Sequence, residues 1–294
     1  MEAKIMVFST TLDVLATDFG REKGIEIIAD AGFPAIDFSM FHDLDFAFSD
    51  DWKENAKKYR DIAASRGVIF NQAHAPFGGG FDVYTKQTMP KMPRIFEFAS
   101  LLGVKQIIVH PAQKIPYLGR EEEMFEINME LYSSLAPYAK NCGIKIAIEN
   151  MWQNRPVTGY ICDDVCADPR ELNRYYDTLN DPEAFTVCLD LGHVALCGRE
   201  PQDAIRTIGH DRLGALHVHD VDYVHDLHTL PGSARINWDA VCRALADVDY
   251  KGDFTLEADA FLKKYDIEFR PTASRFMADV CKHLTGKIEA YKKQ

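Results

Sequence analysis

Short apolar runs alternate with longer amphipathic segments along the whole chain. The runs are rich in β-branched residues and almost continuously apolar, which is typical of strands buried on both faces of a parallel sheet. Eight runs are predicted as strands, at 5–8, 35–38, 68–73, 106–109, 145–148, 185–189, 213–216 and 254–256. Eight amphipathic segments are predicted as helices, at 21–31, 52–66, 86–102, 121–142, 169–179, 201–208, 238–247 and 272–291. Each repeat is therefore one βα unit.

The connections at the two ends of the predicted strands differ in length. Four helices are followed by a glycine suited to a left-handed cap, shortly before the next strand: Gly32, Gly67, Gly103 and Gly143. The connections after strands are longer, above all at 75–85, 151–168 and 219–237. Long loops at one end, and eight βα units in 294 residues, favour a single (β/α)8 barrel domain over residues 1–294.

Glycine motifs do not favour a nucleotide-binding fold. No Gly-x-Gly-x-x-Gly follows the first predicted strand, which argues against an open, doubly wound sheet. The triple glycine at 78–80 follows the third strand instead. We expect it to be a flexible loop, with a phosphate cradle as the alternative.

Composition and charge narrow the function classes. The net charge of −12 repels polyanions, and no basic, aromatic-interleaved loop is evident, so no nucleic-acid partner is expected. Without a long apolar run or a signal-like N-terminus, we expect a cytoplasmic protein with no membrane partner. Seven cysteines, an odd number, fit reduced thiols. A structural metal at the closely spaced Cys162 and Cys166 is the less favoured interpretation.

Potential metal ligands follow six successive predicted strands. They are His74, His110, Glu149, Asp190 with His193 close behind, His217 and Glu257. In a barrel these strand ends meet at one mouth. Each residue taken singly could be a helix cap, a hydrogen-bonded core histidine or a solvated carboxylate. Taken together, three buried carboxylates would repel one another unless a cation neutralised them. The mixed oxygen and nitrogen donors suit one Mn²⁺, Mg²⁺, Co²⁺ or Zn²⁺ ion, with its identity left open.

Five fragments carry a resemblance to a known family. They are Ile-Glu-Asn at 148–150, Leu-Asp-Leu-Gly-His at 189–193, Leu-His-Val-His-Asp at 216–220, Leu-Pro-Gly at 230–232 with Trp238, and Leu-Glu-Ala at 256–258. In this order the chain resembles the xylose isomerase-like barrel superfamily. The similarity is to the sugar phosphate isomerase/epimerase group, which includes the ketose 3-epimerases, and more distantly to the endonuclease IV family. Ser233 stands where that group usually has an acidic residue after Pro-Gly.

The resemblance implies a site and a reaction. The metal ligands would be Glu149, Asp190, His217 and Glu257, and His193 would contact a small carbohydrate substrate. The expected reaction is isomerisation or epimerisation, in which a proton is removed beside a carbonyl to give a metal-stabilised enediolate. Glu149 and Glu257 are the predicted acid and base. Further predicted substrate contacts are His74, His110, Trp152, Asp226 and His228. Alternation along the strand predicts that His219 points away from the direction of His217.

Several alternatives stay open. The same first step fits a metal-dependent lyase or dehydratase acting on a keto-inositol or a keto-glycoside. In endonuclease IV-like proteins, five positions help to hold a second and third metal, and they resemble His74, His110, His193, Asp226 and His228. A phosphodiesterase acting on abasic DNA is therefore the second alternative, and a non-catalytic barrel the third. For the assembly, a homodimer and a homotetramer are both considered.

Overall fold

A closed barrel of parallel strands forms the centre of the molecule. In the computed structural model, which describes residues 6–41, 44–78, 80–113 and 116–294, the barrel has eight strands. They are β1 (Phe8–Thr11), β2 (Ala35–Ser39), β3 (Ile69–His74), β4 (Gln106–Val109), β5 (Lys145–Glu149), β6 (Phe185–Asp190), β7 (Leu213–His217) and β8 (Phe254–Leu256). Backbone hydrogen bonds from Val218 N to Thr255 O and from Glu257 N to Val218 O join β7 to β8. The predicted (β/α)8 fold is confirmed.

Helices surround the barrel. The main ones are α1 (Arg21–Ala31), α2 (Trp52–Ser65), α3 (Met92–Leu102), α4 (Glu121–Cys142), α5 (Pro169–Leu179), α6 (Pro201–Ile208), α7 (Trp238–Asp247) and α8 (Arg270–Tyr291). Sequence signals fix several of their ends. The side chains of Asp168 and Asn237 accept hydrogen bonds from the first turns of α5 and α7. Gly32 and Gly143 end α1 and α4 in the left-handed conformation. Among the described residues, no helix is long and apolar enough to cross a membrane.

Two predicted elements were misplaced. The first strand begins at Phe8, not at Ile5, which lies outside the described residues. The polar residues Ser9, Thr10 and Thr11 interrupt the apolar pattern by which a buried strand is predicted, yet they are buried. Ser9 Oγ donates a hydrogen bond to Thr255 Oγ1 at 2.8 Å. The predicted helix 86–102 is α-helical only from Met92. Before it the chain forms a π-turn at Tyr84–Thr88 and a 3₁₀ turn at Met89–Lys91, since Pro90 lacks the N–H that a regular helix needs.

The loops at the mouth are more ordered than expected. The predicted loop 151–168 contains an antiparallel hairpin, formed by Trp152–Asn154 and Ile161–Asp163. Short helices follow strands at Asp13–Phe19, Asp45–Phe48, Gly80–Val83, Leu191–Leu196 and Asp259–Leu262, and a 3₁₀ turn spans Ile267–Phe269. Of the triple glycine, Gly78 and Gly80 have positive φ, while Gly79 lies outside the described residues.

A small apolar floor lies inside the barrel. Ile108, Ala147, Cys188 and Ala215 form a fully buried cluster separate from the larger core between strands and helices. Side chains two positions apart on a strand face the same way. The next inward residue on each of these strands is therefore a candidate site residue: His110, Glu149, Asp190 and His217.

Candidate active site

Four residues from four strand ends meet directly above the floor. The donor atoms of Glu149, Asp190, His217 and Glu257 all lie within 4.8 Å of one another, and the four side chains are buried. We call these four residues the central cluster. His217 Nδ1 is 2.6 Å from Glu149 Oε1 and 3.1 Å from Glu257 Oε2. The structure therefore brings together the four predicted ligands, which are up to 108 positions apart in sequence, 149 to 257.

Asn150 holds two strand ends in register. Its side chain donates to Asp190 O at 3.0 Å and accepts from Asp190 N at 2.8 Å. The Asp190 side chain in turn caps the helix Leu191–Leu196 by accepting from His193 N at 2.7 Å. The Ile-Glu-Asn and Leu-Asp-Leu-Gly-His fragments thus form one rigid support, in which Asn150 is structural.

The β3–β4 cluster consists of His74, His110 and Glu149, and it shares Glu149 with the central cluster. His74 Nε2 lies 3.0 Å from His110 Nε2, and His110 Nε2 lies 2.8 Å from Glu149 Oε2. Two aromatic rings cover this side: Phe41 packs on His74 with ring centroids 4.7 Å apart, and Phe77 on His110 at 4.5 Å. Sequence reasoning overlooked both phenylalanines, because each lies in a loop without an apolar pattern.

The loop cluster consists of His193, His219, Asp226 and His228. The His219 side chain points away from His217, as alternation along the strand predicts, and it lies in the loop cluster. Its Nε2 is 3.1 Å from Asp190 Oδ1, and its ring stacks on His228 at 4.1 Å. Gly192 makes room for it, since a Cβ there would lie 2.0 Å from His219 Cε1. That steric demand explains the glycine of the Leu-Gly-His fragment.

Trp152 lies at the edge of the loop cluster. It is half-buried on the hairpin, and its ring centroid is 6.4 Å from that of His193, nearly perpendicular to it. All six residues predicted as substrate contacts therefore lie in, or at the edge of, the β3–β4 cluster or the loop cluster: His74, His110, Trp152, His193, Asp226 and His228.

Three of the histidines share one orientation. Nδ1 of His74, His193 and His228 lies 2.7, 2.8 and 2.9 Å from the backbone oxygens of Ala75, Asn150 and Glu257, respectively. A carbonyl oxygen only accepts, so Nδ1 carries the hydrogen in each ring, and Nε2 is left as the atom that can accept or bind a metal. Such a backbone contact fixes the tautomer of metal-binding histidines.

Burial and charge shift the pKa values in opposite directions. Burial raises the pKa of Glu149, but His217 and His110 outweigh it, so the pKa lies well below its usual value. For Glu257, burial dominates and the pKa is raised well above its usual value. Burial lowers the pKa of His110 to about 4. Burial lowers the pKa of His217, but Cys188, Glu257 and Glu149 beside the ring outweigh burial, so the pKa lies well above its usual value.

The central cluster fits a divalent cation. Glu149 Oε2 accepts no hydrogen bond although His110 Nε2 is close to it, and buried His217 Nε2 also has no hydrogen-bond partner. Three carboxylates packed together in a buried site would repel one another. Three carboxylates and one imidazole are donors that bind Mn²⁺, Mg²⁺, Co²⁺ or Zn²⁺. The β3–β4 and loop clusters have donor sets that could hold further ions.

Two buried aspartates were missed by sequence reasoning. Asp37 Oδ2 lies 3.7 Å from His217 Nε2 and accepts from Gln72 Nε2 at 2.8 Å, so it stands behind the central cluster. Asp220 organises the long loop after β7: its carboxylate accepts from four backbone N–H groups between 232 and 236 and from Trp238 Nε1. The Asp of Leu-His-Val-His-Asp and the later Trp were visible in the sequence, but their pairing was not.

Curated relatives are distant. One is an uncharacterised protein of Methanocaldococcus jannaschii, 26% identical over 176 residues; the match covers 58% of this chain and 57% of the relative's length. Another, from Sinorhizobium fredii, is 22% identical, covering 82% of this chain and 81% of the relative. An inosose dehydratase of Bacillus cereus is 30% identical over 105 residues; the match covers 30% of this chain and 35% of the dehydratase's length.

Solved structures share the whole fold. A D-tagatose 3-epimerase-like protein has a TM-score of 0.74 at 19% identity, covering 98% of this chain and 99% of its own. A 3-keto-D-glucoside 4-epimerase from E. coli has a TM-score of 0.71 at 16% identity, covering 95% of this chain and 99% of its own. At these identities the likeness establishes the fold. The family model described as xylose isomerase-like TIM barrel matches residues 25–270, and the chain belongs to that family.

Proposed function

We propose that the protein is a divalent-metal-dependent isomerase or epimerase of a sugar or keto-sugar. The central cluster carries this proposal, because its four converging ligands offer a cation site at the mouth of the barrel. Family membership and the epimerases among the similar structures support a sugar substrate. One ion would be held by Glu149, Asp190, His217 and Glu257. When bound, it would polarise a substrate carbonyl and stabilise negative charge on the neighbouring oxygens.

Glu149 and Glu257 are the proposed acid and base. They lie at the ends of β5 and β8, and their carboxylate oxygens are 2.6 and 3.1 Å from His217 Nδ1. One would take the proton beside the carbonyl, and the other would return a proton to the opposite face, which inverts the stereocentre. If one group performed both steps between adjacent carbons, the result would be aldose–ketose isomerisation.

The surrounding side chains would hold the substrate. The Nε2 atoms of His74 and His110 lie 3.0 Å apart, and Nε2 of His228 contacts Asp226. The Nδ1 contact of His193 with Asn150 O leaves its Nε2 for a sugar hydroxyl. Asp226 accepts from His228 and retains a buried oxygen without a partner. Trp152 offers an aromatic face at the rim. The proposed setting is a cytoplasmic homodimer or homotetramer that acts on a small carbohydrate.

Deuterium exchange tests this reaction. The protein, loaded with Mn²⁺ or Mg²⁺ in D₂O, is incubated with ketoses, inososes and 3-keto-glucosides and followed by NMR. We expect deuterium beside the carbonyl without loss of a substituent. Loss of water or an aglycone would instead indicate a lyase or dehydratase, the alternative that the partial match to an inosose dehydratase supports. No exchange in any of these substrates would refute proton abstraction.

A metal-dependent phosphodiesterase is a second candidate. The observation in its favour is that the three clusters adjoin and that Glu149 belongs to two of them, which suits several ions close together. Clustered ions of this kind are used in phosphoryl-transfer sites. The net charge of −12 opposes a DNA substrate. Metal counting by mass spectrometry separates the two: about one ion per chain fits the sugar enzyme, and three with cleavage of abasic DNA would favour the nuclease.

A further inference from the structure

A cavity of about 600 Å³ lies beside the loop cluster, between the hairpin and the loop after β7. Residues used below line its walls: Tyr160, Ile161, Leu196, Tyr223, Val224 and Asp226. Asp226 also belongs to the loop cluster, where it contacts His228 Nε2 at 3.1 Å. Because Asp226 belongs to both, the cavity adjoins the candidate active site and offers room for a part of the substrate that lies beyond the reacting sugar.

The size of the cavity exceeds the need of one sugar ring. Sites of roughly 300–1,000 Å³ enclose drug-sized ligands. The reacting sugar itself would lie over the central cluster, whose residues do not line this cavity. A free monosaccharide would leave the cavity filled only with water, so the space points to a substrate with a second, bulky group.

The lining residues of the cavity indicate which chemical class of substituent would bind there. Asn154, His225 and Asp226 also line the cavity, but most of its surface is apolar. Ile161, Leu196 and Val224 have no side-chain donors or acceptors, so a second sugar ring lying on them would leave hydroxyls unpaired. An aromatic ring would instead bury apolar surface there and pack against the rings of Tyr160 and Tyr223. Tyr160 and Val224 are 73% and 59% exposed, which leaves apolar surface for a ligand to cover.

Tyr223 is held in an unusual conformation. Its φ of 68° lies in the left-handed region that non-glycine residues rarely adopt. Its hydroxyl donates to Glu200 Oε2 at 3.2 Å, and its ring packs against the core. Strain of this kind persists where surrounding contacts fix a residue for a function. Here it fixes one aromatic wall of the cavity.

On the basis of the sugar chemistry proposed above, we propose that the substrate is an aryl keto-glycoside, whose ring ketone is the carbonyl beside which the proton is removed. Its sugar ring lies over the central cluster, and its aromatic aglycone fills the cavity between the hairpin and the loop after β7. Tyr160, Tyr223 and Val224 are then specificity-determining residues that contact the aglycone and not the reacting carbons.

Equilibrium binding tests this assignment without turnover. Calorimetry on the full chain compares 4-nitrophenyl β-D-glucoside with methyl β-D-glucoside and cellobiose. The aryl glucoside should bind at least about tenfold more tightly than either. Tyr160→Ala and Val224→Asp should remove most of that preference. Tyr138→Ala, an exposed tyrosine on α4, and Val157→Ala, in the turn of the hairpin, should keep it.

Three outcomes would overturn the assignment. One is equal affinity for the aryl and methyl glucosides, or the absence of measurable binding of both. Another is cellobiose binding as tightly as the aryl glucoside, which would indicate a second sugar. The third is an aryl preference that survives both cavity substitutions. Failure of the reaction is separate. Aryl binding without deuterium exchange in any of the ketoses, inososes or 3-keto-glucosides would keep the cavity assignment and refute proton abstraction. Exchange without an aryl preference would refute the cavity assignment alone.

Discussion

The two ends of the barrel interior bury different kinds of polar residue. At the base, Ser9, Asn71 and Thr255 are neutral and bond to one another, with Asn71 Nδ2 3.0 Å from Ser9 Oγ. At the mouth, the central cluster buries three carboxylates around His217, and His217 Nε2 lacks a hydrogen-bond partner. The base residues come from β1, β3 and β8, and the central cluster comes from the ends of β5, β6, β7 and β8. Both ends retain a buried atom without a hydrogen-bond partner, Asn71 Oδ1 at the base and His217 Nε2 at the mouth. Only the mouth packs three carboxylates together, and a bound cation would offset their repulsion.

The largest expected effect comes from neutralising one mouth carboxylate. Glu149→Gln removes a proposed ligand and acid–base group, so turnover should fall by at least about 10³-fold. The measurement is deuterium exchange on the best substrate. The matched change at the base, Asn71→Ala, should leave turnover nearly unchanged and cost about 1–3 kcal/mol of unfolding free energy, because it leaves polar partners unpaired. An active Glu149→Gln would contradict the role assigned to the mouth.

Removing metal should affect stability through the mouth alone. Stripping with a chelator and restoring ion at about 100 times its dissociation constant should raise the unfolding free energy by about 2.7 kcal/mol, measured in urea. In His217→Ala the gain should disappear, because the proposed site loses its imidazole. In Asn71→Ala it should persist in full. A gain retained by His217→Ala would place the ion elsewhere.

A glycine-to-alanine substitution at the mouth should lower the unfolding free energy, whereas the same substitution on a surface helix should not. Gly192→Ala would place a Cβ 2.0 Å from His219 Cε1, so we expect a loss of about 1–3 kcal/mol. Gly286→Ala on α8 is the control, since no atom lies within 4 Å of its added Cβ, and a helical alanine should add up to about 1 kcal/mol. Thermal unfolding measures both. Equal effects would show that His219 adapts freely.

The smallest effect concerns a carboxyl beneath the hairpin loop. Burial raises the pKa of Glu171 from 4.5 to about 7, although Tyr117 and the N–H of Cys166 donate to it. The folded state then binds more protons than the unfolded state between these values, so stability should fall as pH rises from about 4.5 to about 7. Glu171→Gln should remove this slope, on the order of 1 kcal/mol. Exposed Glu122→Gln should leave the slope unchanged in denaturant titrations.

Much of the fold could be predicted from the sequence, because buried strands and helices require a regular spacing of apolar residues. Alternating apolar runs and amphipathic segments predicted the barrel, and α1, α4, α5, α6 and α7 end where predicted, owing to glycine, proline and capping residues. Strands β5, β6 and β7 each extend one residue beyond the apolar pattern, to Glu149, Asp190 and His217. Backbone pairing continues regardless of side-chain polarity, so an apolar pattern ends too early at a functional strand end.

The sequence by itself determined the (β/α)8 order and which polar residues end the strands, because both are local properties of the chain. Only the tertiary structure decided which donors meet: closure of the barrel and the twist of the loop after β7 bring His219 to His228 and Asp220 to Trp238. The hairpin and the cavity beside it also depend on two loops far apart in sequence. Tertiary packing sets the distances between such segments, so the sequence pattern within either segment does not predict them.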